Sequence, residues 1–289
     1  MIQSHLLDSI RSIIGNKVSL NDVVAEVLDI SYDAAHRRTS GKSKLSFDEA
    51  FLLANRYNLS IDALAATTSQ RIVAVEKTQT ISNVKDLEDY FKNSIISLNG
   101  LLQSGGEMMY SAKDVPVFYL FQGDILTRFK LYVWLKLLDK SFAKMSFSEF
   151  HPSLSLLEAA KELGRVYANV PKTEIWDVTT INSVLKQIHF YFEAGLLSSE
   201  DAVALCNTLK GLISRLLSLI KDSTSDIKIY YNELLLMTNK VLIKTPKTMA
   251  LYVPFTMMTY FLCADRETTK EALTYFDKQA QHSLSLIHI

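Results

Sequence analysis

Cysteine is nearly missing from this 289-residue chain: there are two, Cys206 and Cys263, each alone in an apolar stretch. That spacing fits neither a disulfide framework nor a zinc site, and it suits a reducing compartment. Glycine is scarce as well, at nine residues. Phosphate-cradling loops are built from glycine, and no G-x-G-x-x-G, G-x-x-x-x-G-K or G-x-S-x-G segment occurs. Charge of one sign is not in excess, since 31 Lys plus Arg balance 31 Asp plus Glu. No global field attracts a polyanion, so any such contact needs a local patch. No uncharged apolar run reaches the length of a membrane span; residues 249–264 come closest. The opening MIQSHLLDSIRSIIGNK is amphipathic and lacks the order of a secretory signal. With 48% apolar residues there is enough to build real cores. The expectation is a cytoplasmic protein of two domains with no membrane partner.

The first third reads as short helices punctuated by turns. Leu6, Ile10, Ile13 and Ile14 share a face, and Gly15-Asn16 stops that helix. Ser19 stands as an N-cap with Asp22 three residues on, ahead of Leu20, Val23, Val24, Val27 and Leu28 at helical spacing. Asp29-Ile30-Ser31 breaks the pattern, and Ser31 can cap a third helix, about 32–40, ended by Gly41. Ser46 with Glu49 makes a capping box for a fourth helix whose stripe is Phe47, Ala50, Phe51, Ala54 and Tyr57. A fifth, short helix is expected over 61–65. The polar, Thr/Ser-rich stretch 67–82 reads as a linker between residues 1–66 and a second domain, 83–289.

The segment SLNDVVAEVLDISYDAAHRRTSGKSKLSFDEAFLLANRYNLSIDAL (19–64) resembles the lambda-repressor-like (Cro-type, XRE) helix-turn-helix family. Ala25 supplies the small residue where two steeply crossing helices touch. Asp29 stands at the turn position where the family has glycine, and Asp tolerates positive φ less well. Ile30 plugs the core under the turn, and Ala35 faces the preceding helix. The resemblance implies a five-helix DNA-binding domain whose helix from Tyr32 enters the major groove of double-stranded DNA. Carried over by position, it puts Tyr32, Asp33 and Arg37 at base edges, with Ser31 and His36 beside them. It puts Asn21 on phosphate and Lys42 and Lys44 at the backbone. Two departures stand out. Arg38 occupies a position that the family usually makes apolar, so either Thr39 takes that role or the helix is rotated. Residues 1–70 also carry seven Lys/Arg against eight Asp/Glu, although HRRTSGKSK (36–44) holds four cations and no anion.

The rest of the chain reads as mainly helical, near 124–140, 155–167, 180–195 and 199–221. VPVFYLF (115–121), IYYNELLLM (229–237), VLIKT (241–245) and MALYVPF (249–255) read as strands of a small antiparallel sheet. Val84, Leu87, Phe91, Leu98 and Leu101 form a seam with Ser94 at the missing step, suited to packing or to a short dimeric coiled coil. The fold class expected is therefore mostly α. The stretch 113–136 resembles regulators of Bacteroidetes-type bacteria that carry this helix-turn-helix ahead of an uncharacterised C-terminal domain. His189 and Glu193 lack matching metal ligands, and the two cysteines read as inert core thiols, so no catalytic residue, metal or cofactor is expected. The aromatic group Phe118, Tyr119, Phe121, Phe129, Tyr132 and Trp134 reads as core before it reads as a pocket. Residues 284–289, LSLIHI, back-translate to a sequence resembling a transposase sequencing adaptor, so the natural chain is expected to continue past about Ser283. The functional expectation is a bacterial, homodimeric DNA-binding transcription regulator whose second domain dimerises or senses an unknown effector. The alternative is a protein-interaction adaptor of the same fold that does not bind DNA.

Overall fold

A computed structural model describes residues 2–15, 18–61, 73–177, 179–221, 226–233 and 239–285. The chain divides into two compact units, 1–74 and 75–289. The boundary falls inside the stretch read as a linker. Residues 62–65 of the expected fifth helix and 286–289 of the tail lie outside the described residues.

The first unit contains α1 (Ile2–Ile14), α2 (Leu20–Leu28), α3 (Tyr32–Thr39) and α4 (Phe47–Arg56). Leu6, Leu7 and Ile10 of α1 pack with Leu20, Val23 and Val24 of α2, Ala35 of α3, and Leu53 and Ala54 of α4. Ile30 packs at the edge of this core, beneath the turn. Asp29 closes α2 with φ 51° and ψ 51°, and the N–H groups of Asp29 and Ile30 reach back to the Ala25 carbonyl. The chain thus reverses at a left-handed residue, where Asp is costlier than glycine. Two caps behave as their sequence suggests: Ser31 accepts from the Ala34 N–H, and Ser46 with Glu49 forms a complete capping box. Ser19 holds the N-cap position of α2 without a side-chain bond. One expectation fails in α4, where Phe47 and Phe51 are 74% and 54% exposed and the buried stripe is Leu53 and Ala54. The helix is turned relative to its most apolar face.

The second unit corrects the fold class. Instead of a small antiparallel sheet it holds an eight-stranded mixed sheet, in the order β1-β7-β6-β5-β2-β3-β4-β8, so the architecture is mixed α/β. The strands are β1 (Glu76–Lys77), β2 (Glu107–Ala112), β3 (Lys172–Trp176), β4 (Ile227–Tyr231), β5 (Lys240–Lys244), β6 (Met249–Thr256), β7 (Thr259–Cys263) and β8 (Leu284–Ser285). β2, β3 and β4 run parallel, while the pairs on either side of them are antiparallel. The parallel pairs need long crossovers. A 3-10 turn (Val117–Leu120), α6 (Ile125–Leu138) and α7 (Leu154–Ala168) lie between β2 and β3, whereas α8 (Thr179–Glu193) and α9 (Ser199–Lys221) lie between β3 and β4. The segment 115–121 is therefore a 3-10 turn and not a strand.

Alternation along β2 sorts the two faces of the sheet. Met108, Tyr110 and Ala112 join the larger core with α5 (Val84–Gln103) and α6 to α9, while Met109 joins Ile175, Leu242, Leu251 and Cys263 under Phe276 of α10 (Arg266–Gln281). The result is three layers: helices, sheet, helix. Gly164 lets α7 approach the 3-10 turn, because a Cβ there would meet the Phe121 carbonyl oxygen at 2.5 Å. The seam of α5 is consumed inside this unit, since Leu87, Phe91, Leu98 and Leu101 are all buried in its core. It is therefore not available as the surface of a dimeric coiled coil. The stretch 249–264 is a hairpin. The helix long and apolar enough by composition to cross a membrane is α9, and its Leu205, Leu209, Leu212, Leu216 and Ile220 stripe is buried in the same core. Of the aromatic group, Tyr119, Phe121, Phe129, Tyr132 and Trp134 are core residues. Cys263 is buried, but Cys206 is exposed, as is His189.

At the centre of the parallel strands lies a buried carboxyl. Glu174 accepts from Tyr119 Oη (2.8 Å) and Tyr167 Oη (2.6 Å) at one oxygen and from Trp176 Nε1 (2.7 Å) at the other. Next to it, the Lys172 ammonium donates to the carbonyls of Tyr167 and Val170. Burial lifts the Glu174 carboxyl above its ordinary value of 4.5, against the pull of its three donors and of Lys172, and brings Lys172 down to about 8. Glu174→Ala leaves three buried donors without an acceptor, and it is expected to lower the stability of this unit by at least about 3 kcal/mol. Tryptophan fluorescence during urea unfolding measures the loss, both tryptophans being in this unit. A carboxyl raised on folding stabilises below its unfolded value and loses that contribution as pH rises through its folded one. Glu174→Gln is therefore expected to remove a decline in stability above about pH 4.5.

Candidate functional site

The site is the outer face of α3 together with the loop that follows it. Eight residues cannot hold a helix alone, so its orientation must come from its neighbours, and three contacts supply it. The first is Arg38, whose Nε and Nη2 donate to Glu49 Oε1 at 3.0 and 2.6 Å while Nη1 reaches the Ala34 carbonyl. The same carboxylate caps α4 through the Ser46 N–H, so one residue joins the back of α3 to the start of α4. Hydrogen bonding to Arg38 holds the Glu49 carboxyl below its usual range. The departure at Arg38 is thereby resolved: the position that the family makes apolar carries a half-buried ion pair, and Thr39 turns to a polar partner.

The second contact is Asn21. Its amide oxygen accepts from the Thr39 hydroxyl, and its amide nitrogen donates to the Tyr32 hydroxyl (3.1 Å) and lies 3.4 Å from His36 Nδ1. Expected to touch phosphate, Asn21 instead binds three side chains of α3 and fixes the directions of Tyr32 and His36. The third contact is Gln3, for which the sequence offered no signal. Its side chain donates to the carbonyls of Arg38 and Ser43 and accepts from the Leu45 N–H. It staples the loop bearing Lys42 and Lys44 to α1. Gly41, at φ 76°, lets that loop fold back so that the Ser43 N–H reaches the Arg37 carbonyl.

What remains outward is a coherent set. Tyr32, Asp33, His36, Arg37, Lys42 and Lys44 are all exposed, and Ser31 is exposed but spends its hydroxyl on the cap. Among the described residues no carboxylate pairs with Arg37, Lys42 or Lys44. Of the four cations in 36–44, one is spent on Glu49 and three stay free. They sit with the tyrosine ring and one carboxylate on a surface that is fixed from behind. Such a surface can meet a polyanion at its cations and offer both donors and an acceptor at its middle. No group of three His, Cys, Asp or Glu side chains placed to hold a metal occurs among the described residues.

The Arg38–Glu49 link gives this surface a pH dependence of known sign. Glu49 is lowered on folding, so its contribution is present above the ordinary glutamate value and is lost as pH falls through the folded one. Amide exchange in α3, measured relative to the intrinsic rate at each pH, is expected to quicken below about pH 4 in the native chain. In Glu49→Gln it should already be faster at neutral pH, by a factor of about ten, as suits the loss of a charge-assisted bond worth roughly 1.5 kcal/mol. No family model, curated protein or solved structure matches this chain.

Proposed function

We propose that the first unit is a helix-turn-helix DNA-binding domain of the lambda-repressor-like kind and that the protein is a sequence-specific transcription regulator. The observation that carries this reading is Arg37. It is exposed and unpaired by any carboxylate among the described residues, on a capped helix held in place by Arg38, Asn21 and Gln3. A guanidinium so placed can bond bidentately to the O6 and N7 of a guanine. Asp33, one turn before it, can accept from a cytosine amine, and the Tyr32 ring can lie against a thymine methyl. His36 stands beside them as a further donor. Lys42 and Lys44 then fall to phosphates, and Asn21 acts as a positioning residue. The chain as a whole has no net charge, so affinity has to come from this local patch, with a shallow salt dependence. The protein would bind as a homodimer to a pseudo-palindrome with half-sites about ten base pairs apart.

A second reading, a protein-interaction adaptor, is favoured by one observation: Phe47, Phe51 and Leu52 of α4 are exposed together. Aromatic side chains are enriched at the centres of protein interfaces, so such a group can serve as a contact for a partner. The two readings part at Arg37. In a salt-titrated gel shift on DNA from upstream of the protein's own gene, Arg37→Ala is expected to weaken binding by about tenfold or more and to relax preference at one base pair. Lys42→Ala and Lys44→Ala should weaken all sequences alike and each flatten the salt slope by about one. Binding that ignores Arg37→Ala, or no binding at low salt, would favour the adaptor.

A further inference from the structure

The second unit contains a cavity of about 310 Å3 between α5 and the sheet. Its floor is a row of directly paired residues, Tyr110, Val241, Tyr252 and Leu262, crossing β2, β5, β6 and β7. Its roof is the side of α5 bearing Tyr90, Asn93, Ser94 and Ser97. The opening has a cause in the sequence. The seam of α5 runs Val84, Leu87, Phe91, then Leu98 and Leu101, and where the next large side chain is due stands Ser94. A serine in a run of leucines leaves the volume of most of a side chain unfilled.

The chemistry of the walls is narrow. No Lys, Arg or His lines the cavity, so an anion would enter without a countercharge. The one charged lining residue, Asp86, is committed to the start of α5, accepting from the Ser82 N–H and hydroxyl and from the Asn83 amide. The remaining polar groups are mainly phenols. Burial raises the hydroxyls of Tyr90, Tyr110, Tyr252 and Tyr260 above their ordinary value, so all four stay neutral donors. The Tyr90 and Tyr260 hydroxyls lie close enough to influence each other. The Tyr110 ring is mostly buried, and its hydroxyl makes no hydrogen bond among the described residues and lines the cavity. A phenol on the floor of an apolar cavity, accessible from the cavity, can donate to an acceptor on a bound molecule.

We propose that this cavity binds a neutral, mainly apolar small molecule of one to three rings that offers an oxygen or nitrogen acceptor to Tyr110. Its volume lies at the small end of ordinary ligand pockets, which begin at about 300 Å3. The site lies wholly in the second unit and stands or falls separately from DNA binding.

The test is a fluorescence titration of the full chain with N-phenyl-1-naphthylamine, which is neutral, and with 1-anilinonaphthalene-8-sulfonate, which differs by one negative group. The neutral probe should bind saturably at one site, at least about tenfold tighter than the sulfonate. Ser94→Phe fills the cavity and should weaken the neutral probe at least about tenfold with an unchanged circular dichroism spectrum. Competition against the bound probe reads the hydroxyl: 2-naphthol should displace it better than naphthalene by about fivefold, and Tyr110→Phe should erase that preference. No saturable signal, a sulfonate that binds as well as the neutral probe, or a folded Ser94→Phe that binds normally would overturn the proposal. Should Ser94→Phe fail to fold, a preference for 2-naphthol that survives in Tyr110→Phe would overturn it equally.

Discussion

The direction in which α3 points rests first on a half-buried ion pair, which the bonds of Asn21 and Gln3 support. Arg38 lies within an eight-residue helix too short to stand alone, and its guanidinium is clasped by Glu49 while it also reaches back to Ala34. Glu49 in turn caps α4, whose Leu53 and Ala54 reach the centre of the first unit's core. Rotation of α3 would have to break the pair and lose its charge-assisted hydrogen bonds. With Arg38 held inward, its neighbour Arg37 is set outward by the 100° step of the helix. One cation is spent on architecture, and the next stays exposed and unpaired by any carboxylate among the described residues.

Each unit keeps a polar group inside and satisfies it, but to different ends. In the first unit, Asn21 and Gln3 spend side-chain bonds on fixing other side chains and a loop, which lowers the entropy lost when that surface meets a partner. In the second unit, Glu174 gathers Tyr119, Tyr167 and Trp176 around the middle parallel strand and ties the helices of one crossover to β3. The cavity under α5 breaks this pattern. There the Tyr110 hydroxyl makes no hydrogen bond among the described residues, and Ser94, the one small residue of the α5 seam, lines the same cavity.

Much of the first unit was legible because its signals are local. A serine at a cap, a residue at the left-handed turn and an alanine facing the preceding helix each act within a few positions, and Ser31, Asp29 and Ala35 behave as their sequence context suggests. What was not legible depends on distant partners. Phe47 and Phe51 look like a core stripe, yet apolar character does not by itself force burial. Arg38 looked like an anomaly until its partner eleven residues away came into view. In the second unit the helices up to residue 221 were readable from their period, and the runs at 229–237, 241–245 and 249–255 overlap β4, β5 and β6. However, β2 and β3 at the centre of the sheet and α10 were not legible. β3, Lys-Thr-Glu-Ile-Trp, carries two charges inward to a buried network and so hides its strand character. β2 is interior and short, and α10 buries little beyond Thr269 and Phe276. The seam of α5 was visible, including its gap at Ser94, but sequence alone did not show that the gap opens a cavity.

The most direct test of the central claim, that α3 reads a duplex, is selection from a pool of random double-stranded oligonucleotides with the full-length native chain. The account requires enrichment of a short motif repeated as inverted half-sites about one helical turn apart, with guanine fixed at one position of each half. A pool that stays unenriched at low salt through successive rounds would contradict it.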